Sequence, residues 1–243
     1  MCRPFQWYDH GCGPFVLFGP AHLAGLGLLL AAVVALVLWR RRFTPRARRL
    51  FRYGLAGLLI ANEISTHIWH ALVGQWTVQY MLPLHLCSLF SWLTAVMLLT
   101  RSYRIYELAY FLGIGGAVQA LITPHPGFGF PHYRFFQSYL AHAPIVLGAV
   151  YMTAVEGYRP TLRSLLRVAV AIHLYMIPVF GLNLLLDSNY LFIHRKPAEP
   201  TLLDYLGPWP WYILGMEAIG LLTCLLLYLP FFPGRKPVCV DSG

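Results

Sequence analysis

Charge is what this chain has least of. Asp, Glu, Lys and Arg make up 11% of its 243 residues, and nine acidic residues stand against 18 basic ones. A soluble domain carries about 25% charged residues, so this composition excludes an ordinary water-exposed surface. Also missing are a P-loop, a GxSxG elbow, a GxGxxG fingerprint and zinc-type CxxC spacing. Five cysteines make no disulfide framework, although Cys2 and Cys12 are near enough in sequence to pair on an oxidising side. No basic region or small-residue cleavage site precedes the first apolar run, which therefore reads as an uncleaved anchor.

What is present is hydrocarbon. Hydrophobic residues form 58% of the chain and the mean hydropathy is +0.59. Apolar stretches of about 20 residues, each long enough to cross a bilayer core as a helix, recur along its whole length. They predict an all-α, polytopic membrane helix bundle of seven transmembrane helices: Ala21 to Trp39, Tyr53 to Val73, Leu82 to Thr100, Ile105 to Thr123, Phe136 to Glu156, Leu166 to Leu186 and Trp209 to Leu229. Connections are short and no long-period repeat occurs, so residues 1–243 read as one integral membrane domain.

Basic residues report its orientation. Fourteen of the 18 follow the first, third, fifth and seventh spans, beginning with the run Arg40, Arg41, Arg42, Arg46, Arg48, Arg49 and Arg52. The remaining Arg3, Arg134, Arg195 and Lys196 are spread over the opposite side. The positive-inside rule puts the N-terminus outside and the C-terminus inside, which an odd number of spans requires. Basic residues dealt onto alternate loops make no patch for nucleic acid.

This topology assigns a depth to each polar residue. Glu63, His67 and His70 fall near the outer end of the second span, with His85 and Cys87 at the start of the third. Gln119 ends the fourth, Tyr139 and His142 begin the fifth, Asn183 and Asp187 end the sixth, and Glu217 lies about two turns into the seventh. His173 falls in the inner half. Ionisable groups in hydrocarbon are costly and mark functional sites, so their concentration at one level predicts a polar cavity in the outer half. Pro178 should kink the sixth helix and free carbonyls near Asn183. His125 and His132, in "TPHPGFGFPHYRFF", read as solvated loop residues.

Face geometry separates the candidates. Glu63, His67 and His70 share one helical stripe, as do Cys87, Ser91 and Thr94. His85 projects away from Cys87, and Pro83 suits the first turn of the third helix. A cysteine at such a level serves either as a small buried hydrophobe or as a nucleophile activated by an imidazole from another helix.

The runs "LPLHLC" (82–87) and "NYLFIHRKPAEPTLLDYLGPWPWYIL" (189–214) resemble the YwaF-type family of bacterial integral membrane proteins, over nearly the entire chain. That family is similar to eukaryotic transmembrane protein 164, an acyltransferase that moves fatty acyl groups between phospholipids. The resemblance implies a multi-pass protein of the bacterial cytoplasmic membrane, with Cys87 in "HLC" as nucleophile and His142 in "YLAHAP" as its histidine.

Three functional classes fit these residues. The first is a lipid acyltransferase or hydrolase using Cys87 and His142, taking a phospholipid donor and a lysolipid acceptor and needing no cofactor or metal. Gln119 or Asn183 would supply an oxyanion donor. The second is a lipid, ion or solute binding or transport protein. The third is a metal-dependent enzyme built on Glu63, His67 and His70.

Overall fold

A computed structural model describes residues 2–7, 11–124, 127–197 and 202–232. His125 and the tail residues Arg235, Lys236 and Cys239 lie outside them. Regular structure among the described residues is helical throughout. Seven helices form its frame: α1 (Pro20–Trp39), α2 (Pro45–Leu72), α3 (Leu86–Thr100), α4 (Tyr103–Ile122, with a π turn over Ala109–Gly113), α5 (Tyr133–Ala154), α6 (Leu162–Leu186) and α7 (Trp211–Tyr228).

Local signals start these helices. Thr44 accepts the Ala47 N–H ahead of Pro45, Ser102 accepts the Ile105 N–H, and Thr161 forms a reciprocal capping box with Ser164. Four segments are long and apolar enough to cross a membrane: Pro20–Arg42, Tyr103–Ile122, Leu162–Leu186 and Trp211–Phe231. α3 is apolar but only 15 residues long. α2 begins eight residues earlier than hydropathy suggests, because Arg46, Arg48, Arg49 and Arg52 occupy its first turns instead of a loop. α3 begins four residues later, leaving Pro83 and His85 outside the helix.

The chain divides into two compact units, residues 1–76 with 87–158, and residues 77–86 with 159–243. The first holds α1, α2, α4 and α5 with all but the first residue of α3. At one end of it Arg52 Nη1 donates to Leu98 O at 2.9 Å, and Tyr151 donates to Glu156 Oε1 at 2.6 Å. Arg48 stands 3.9 Å from Glu156. These contacts gather the start of α2 and the ends of α3 and α5. At the other end the N-terminal segment, carrying the Cys2–Cys12 disulfide, is tied down by Trp69 Nε1 donating to Phe5 O at 2.9 Å and Tyr133 N to Pro4 O at 2.8 Å. His132 belongs to this end and is not solvated. It is fully buried, caps α5, stacks on Phe128 at 4.2 Å and donates to Gln6 O at 2.8 Å.

The second unit packs α6 and α7 around a core of Val179, Tyr190 and Ile193. Its segment 77–86 has no helix to satisfy its backbone. Tyrosine hydroxyls do so: Tyr175 donates to Leu84 O at 3.0 Å, and the Tyr190 hydroxyl accepts from Leu82 N at 3.0 Å while donating to Val78 O at 2.5 Å. α6 continues through Pro178 to Asp187, whose αL conformation ends it. His173 is the twelfth of 25 residues in α6, and its Nε2 lies 3.1 Å from Glu217, so the two side chains, expected at different depths, meet at one level.

Candidate functional site

Small residues fix the register between α3 and α5. A Cβ on Gly148 would stand 2.7 Å from Thr94 Cγ2, so only glycine lets α5 approach α3 there. Gly113 of α4 meets both Ile145, at 3.1 Å from its would-be Cβ, and Phe90 at 3.3 Å. Phe90 is therefore level with Ile145, and Thr94 with Gly148, four residues on along α3 and three along α5. The two helices run parallel. One turn back from Phe90 and Ile145 lie Cys87 and His142, which share a level on neighbouring helices.

Hydrogen bonds set the imidazole tautomers at this level. His142 Nδ1 lies 2.6 Å from Ser138 O and His70 Nδ1 lies 2.8 Å from Thr66 O. A carbonyl only accepts, so each Nδ1 bears its proton and each Nε2 presents a lone pair. His67 is the reverse case: its Nδ1 accepts the Trp76 indole N–H at 3.0 Å, which puts its proton on Nε2, 4.0 Å from Glu63 Oε1. Glu63 accepts a short hydrogen bond from the Ser88 hydroxyl, and Cys87 lies within electrostatic reach of the same carboxylate. The Cys87 thiol is free, half-buried and makes no hydrogen bond among the described residues. A chain Trp76–His67–Glu63–Ser88 therefore ends one residue from a thiol that is level with a base-form histidine.

Residues 17–228 match the sequence pattern of the TMEM164 family. The chain belongs to that family. No curated protein and no solved structure matches it. In this TMEM164 family member the matched region contains every candidate side chain, whereas the Cys2–Cys12 disulfide precedes it.

Several candidates have other employment in this TMEM164 family chain. Asn183 is wholly buried, with Oδ1 accepting from Ser188 Oγ at 2.9 Å and Tyr190 N at 2.8 Å while Nδ2 donates to Tyr190 O at 2.9 Å. That amide holds a turn with both its oxygen and its NH2 group. The Gln119 side chain is exposed. Asp187 is 84% exposed and pairs with Arg195 at 2.9 Å. Glu217 pairs with His173, and His85 packs between Tyr190 and Phe192 with ring centroids at 5.0 and 5.3 Å. Tyr139 donates to His22 O at 3.2 Å and lays its ring on Gly25, where a Cβ would come within 2.4 Å. It is a packing residue between α1 and α5.

Glu63, His67 and His70 share their stripe, yet no group of three or more His, Cys, Asp or Glu converges in metal-binding geometry among the described residues. Two surface grooves, of about 270 and 290 Å³, lie beside Phe43 and beside Phe15. Neither is lined by Cys87 or His142. Ser88 and Arg134 enter the site without having been singled out from sequence. Arg134 lies within electrostatic reach of both His70 and His142. Its signal was its isolation, as the one basic residue between Arg104 and Arg159, at the start of a long helix.

Proposed function

We propose that this chain is a lipid acyltransferase or acyl hydrolase with Cys87 as nucleophile and His142 as base. In this reading it is a YwaF-type bacterial member of the family that crosses the cytoplasmic membrane seven times, N-terminus outside, with the Cys87 and His142 level in the outer half. The observation that carries it is the shared level of Cys87 and His142 on parallel, register-locked helices, with the His142 Nδ1 proton engaged and the Nε2 lone pair free. Family membership is compatible with that chemistry.

His142 Nε2 takes the thiol proton, and the thiolate adds to the ester carbonyl of a phospholipid. Collapse breaks the acyl carbon–oxygen bond, the leaving alkoxide takes the proton from His142, and a lysophospholipid departs from a Cys87 thioester. A lysolipid hydroxyl or water then gives its proton to His142 and attacks the thioester. The returning proton regenerates the thiol, so no proton or electron is gained or lost.

Intact-protein mass spectrometry after exposure to phospholipid vesicles tests this. The expected product is a single acyl adduct released by neutral hydroxylamine, absent from Cys87→Ser and His142→Ala. A second reading rests on the hydrogen bond from Ser88 to Glu63, which presents a hydroxyl already directed at a carboxylate base. In that case the adduct is an oxygen ester that resists neutral hydroxylamine and disappears in Ser88→Ala. No adduct and no transfer with any phospholipid would leave the lipid- or ion-binding class as the better reading.

A further inference from the structure

Arg134, the second residue of α5, carries a charge that the protein itself leaves unanswered. Its Nε is completely buried and has no hydrogen-bond partner. Nη1 donates to the neutral amide oxygen of Gln137, and the guanidinium carbon lies 5.9 Å from the centre of the Trp69 ring. The ion pairs of Arg48, His67, His173, Arg195 and Lys196 do not reach Arg134. Five N–H donors thus face one neutral acceptor and an aromatic face. Burying a cation this way is costly unless an anion completes the set. The backbone N–H groups at this helix start are occupied, with Tyr133 N on Pro4 O and Arg134 N on His132 Nδ1, so the side chain alone is open for binding.

We propose that Arg134 is an anion subsite that takes the phosphate of a phospholipid or lysophospholipid headgroup. This rests on the acyl-transfer reading and names the residue that holds the headgroup of its phospholipid substrate. A guanidinium fork matches two phosphate oxygens. Arg134 precedes His142 by about 12 Å along α5, so a headgroup held at the helix start leaves the ester and chains directed toward the His142 level. A neutral glycerolipid offers this arginine nothing. The structure therefore selects charged glycerolipids over uncharged esters of the same chain.

The test uses full-length Cys87→Ser protein in nanodiscs, so that no acyl chemistry intervenes, and measures retention of radiolabelled lysophosphatidylcholine against the monoacylglycerol of the same chain. The unsubstituted arginine should favour the phospholipid by about tenfold or more. Arg134→Gln should erase that preference while leaving monoacylglycerol retention within about twofold, and Arg134→Lys should keep part of it. Equal retention of the two lipids when Arg134 is present overturns the proposal without any Arg134 variant having to fold. Inorganic phosphate at tens of millimolar should leave lysolipid retention unchanged; if it displaces the lipid, the site is one for free phosphate and the headgroup assignment falls. Headgroup preference without an adduct in the wild-type chain would keep the subsite and discard acyl transfer, whereas an adduct without headgroup preference would do the reverse.

Discussion

Gly148→Ala should damage both stability and catalysis, and a second substitution should undo most of the damage. The new Cβ would stand 2.7 Å from Thr94 Cγ2, where carbon atoms normally rest about 3.5–4.0 Å apart, so roughly 1 Å of clearance must be found. Thr94 is wholly buried and leaves its methyl little room to swing aside, so the helices must separate. Overpacking of this kind costs about 1–3 kcal/mol. The shift should reach His142, less than two turns along α5, and a misplacement near 1 Å costs about 10²-fold in rate. Thr94→Ser removes the clashing methyl and keeps the hydroxyl, at about 1 kcal/mol by itself. The next nearest atoms to the new methyl are Leu98 Cδ1 at 3.5 Å and Met97 Cε at 3.7 Å, both ordinary contacts. The Gly148→Ala/Thr94→Ser double variant should therefore unfold close to Thr94→Ser alone, a favourable coupling of about 1–2 kcal/mol. Thermal unfolding in detergent, with adduct formation followed by mass spectrometry, measures both effects. An alanine variant that melts and acylates like wild type would refute the α3–α5 register, and with it the shared level of Cys87 and His142.

If Cys87 and His142 act as a unit, the Cys87→Ser/His142→Ala double variant should lose little more activity than either single one, and Cys224→Ser should be silent; losses that multiply argue against coupling. Asn183→Ala strips three hydrogen bonds from the turn around Tyr190 and should lower stability by about 2–4 kcal/mol, read as an earlier melting transition, without changing the chemistry of any adduct formed. With the N-terminus outside, a reporter cysteine replacing Arg46 should ignore an impermeant thiol reagent added outside and react once the membrane is opened.

Hydropathy made the helices legible because it measures what lipid demands, and it located α1, α4, α6 and α7 to within a few residues. It failed where polar partners override it. Leu82 to Leu84 are apolar enough to extend α3, yet the hydroxyls of Tyr175 and Tyr190 satisfy that backbone in an irregular path. Asn183 looked like a site residue because it is polar inside a span; its partners Ser188 and Tyr190 lie in the turn that follows α6, and contacts formed by chain reversal leave no periodic trace. His173 and Glu217 were set at different depths by counting from assumed helix ends, an error that grows with every boundary. A shared level for Cys87 and His142 is what seven alternating spans would imply, and the contacts of Gly148 and Gly113 run α3 and α5 parallel as that requires. Ser88 and Arg134 escaped notice for opposite reasons: one is an ordinary residue beside a cysteine, and the other was counted as a topological charge.

If α3 crosses the membrane, its shortness has a mechanical consequence for the bilayer. Fifteen residues span about 22 Å, against about 30 Å of hydrocarbon. If Arg101 marks the inner boundary, Cys87 lies about 21 Å above it and so about 9 Å beneath the outer one. A lipid ester resting at the normal interface would stand too high to meet the thiol. Either the lipid sinks or the leaflet dips, and a leaflet that thins around a short helix does the second at a modest cost per ångström of mismatch. Acyl transfer should then run faster in vesicles of short-chain lipids than in thick ones at equal fluidity, so that membrane thickness itself becomes a control on the rate.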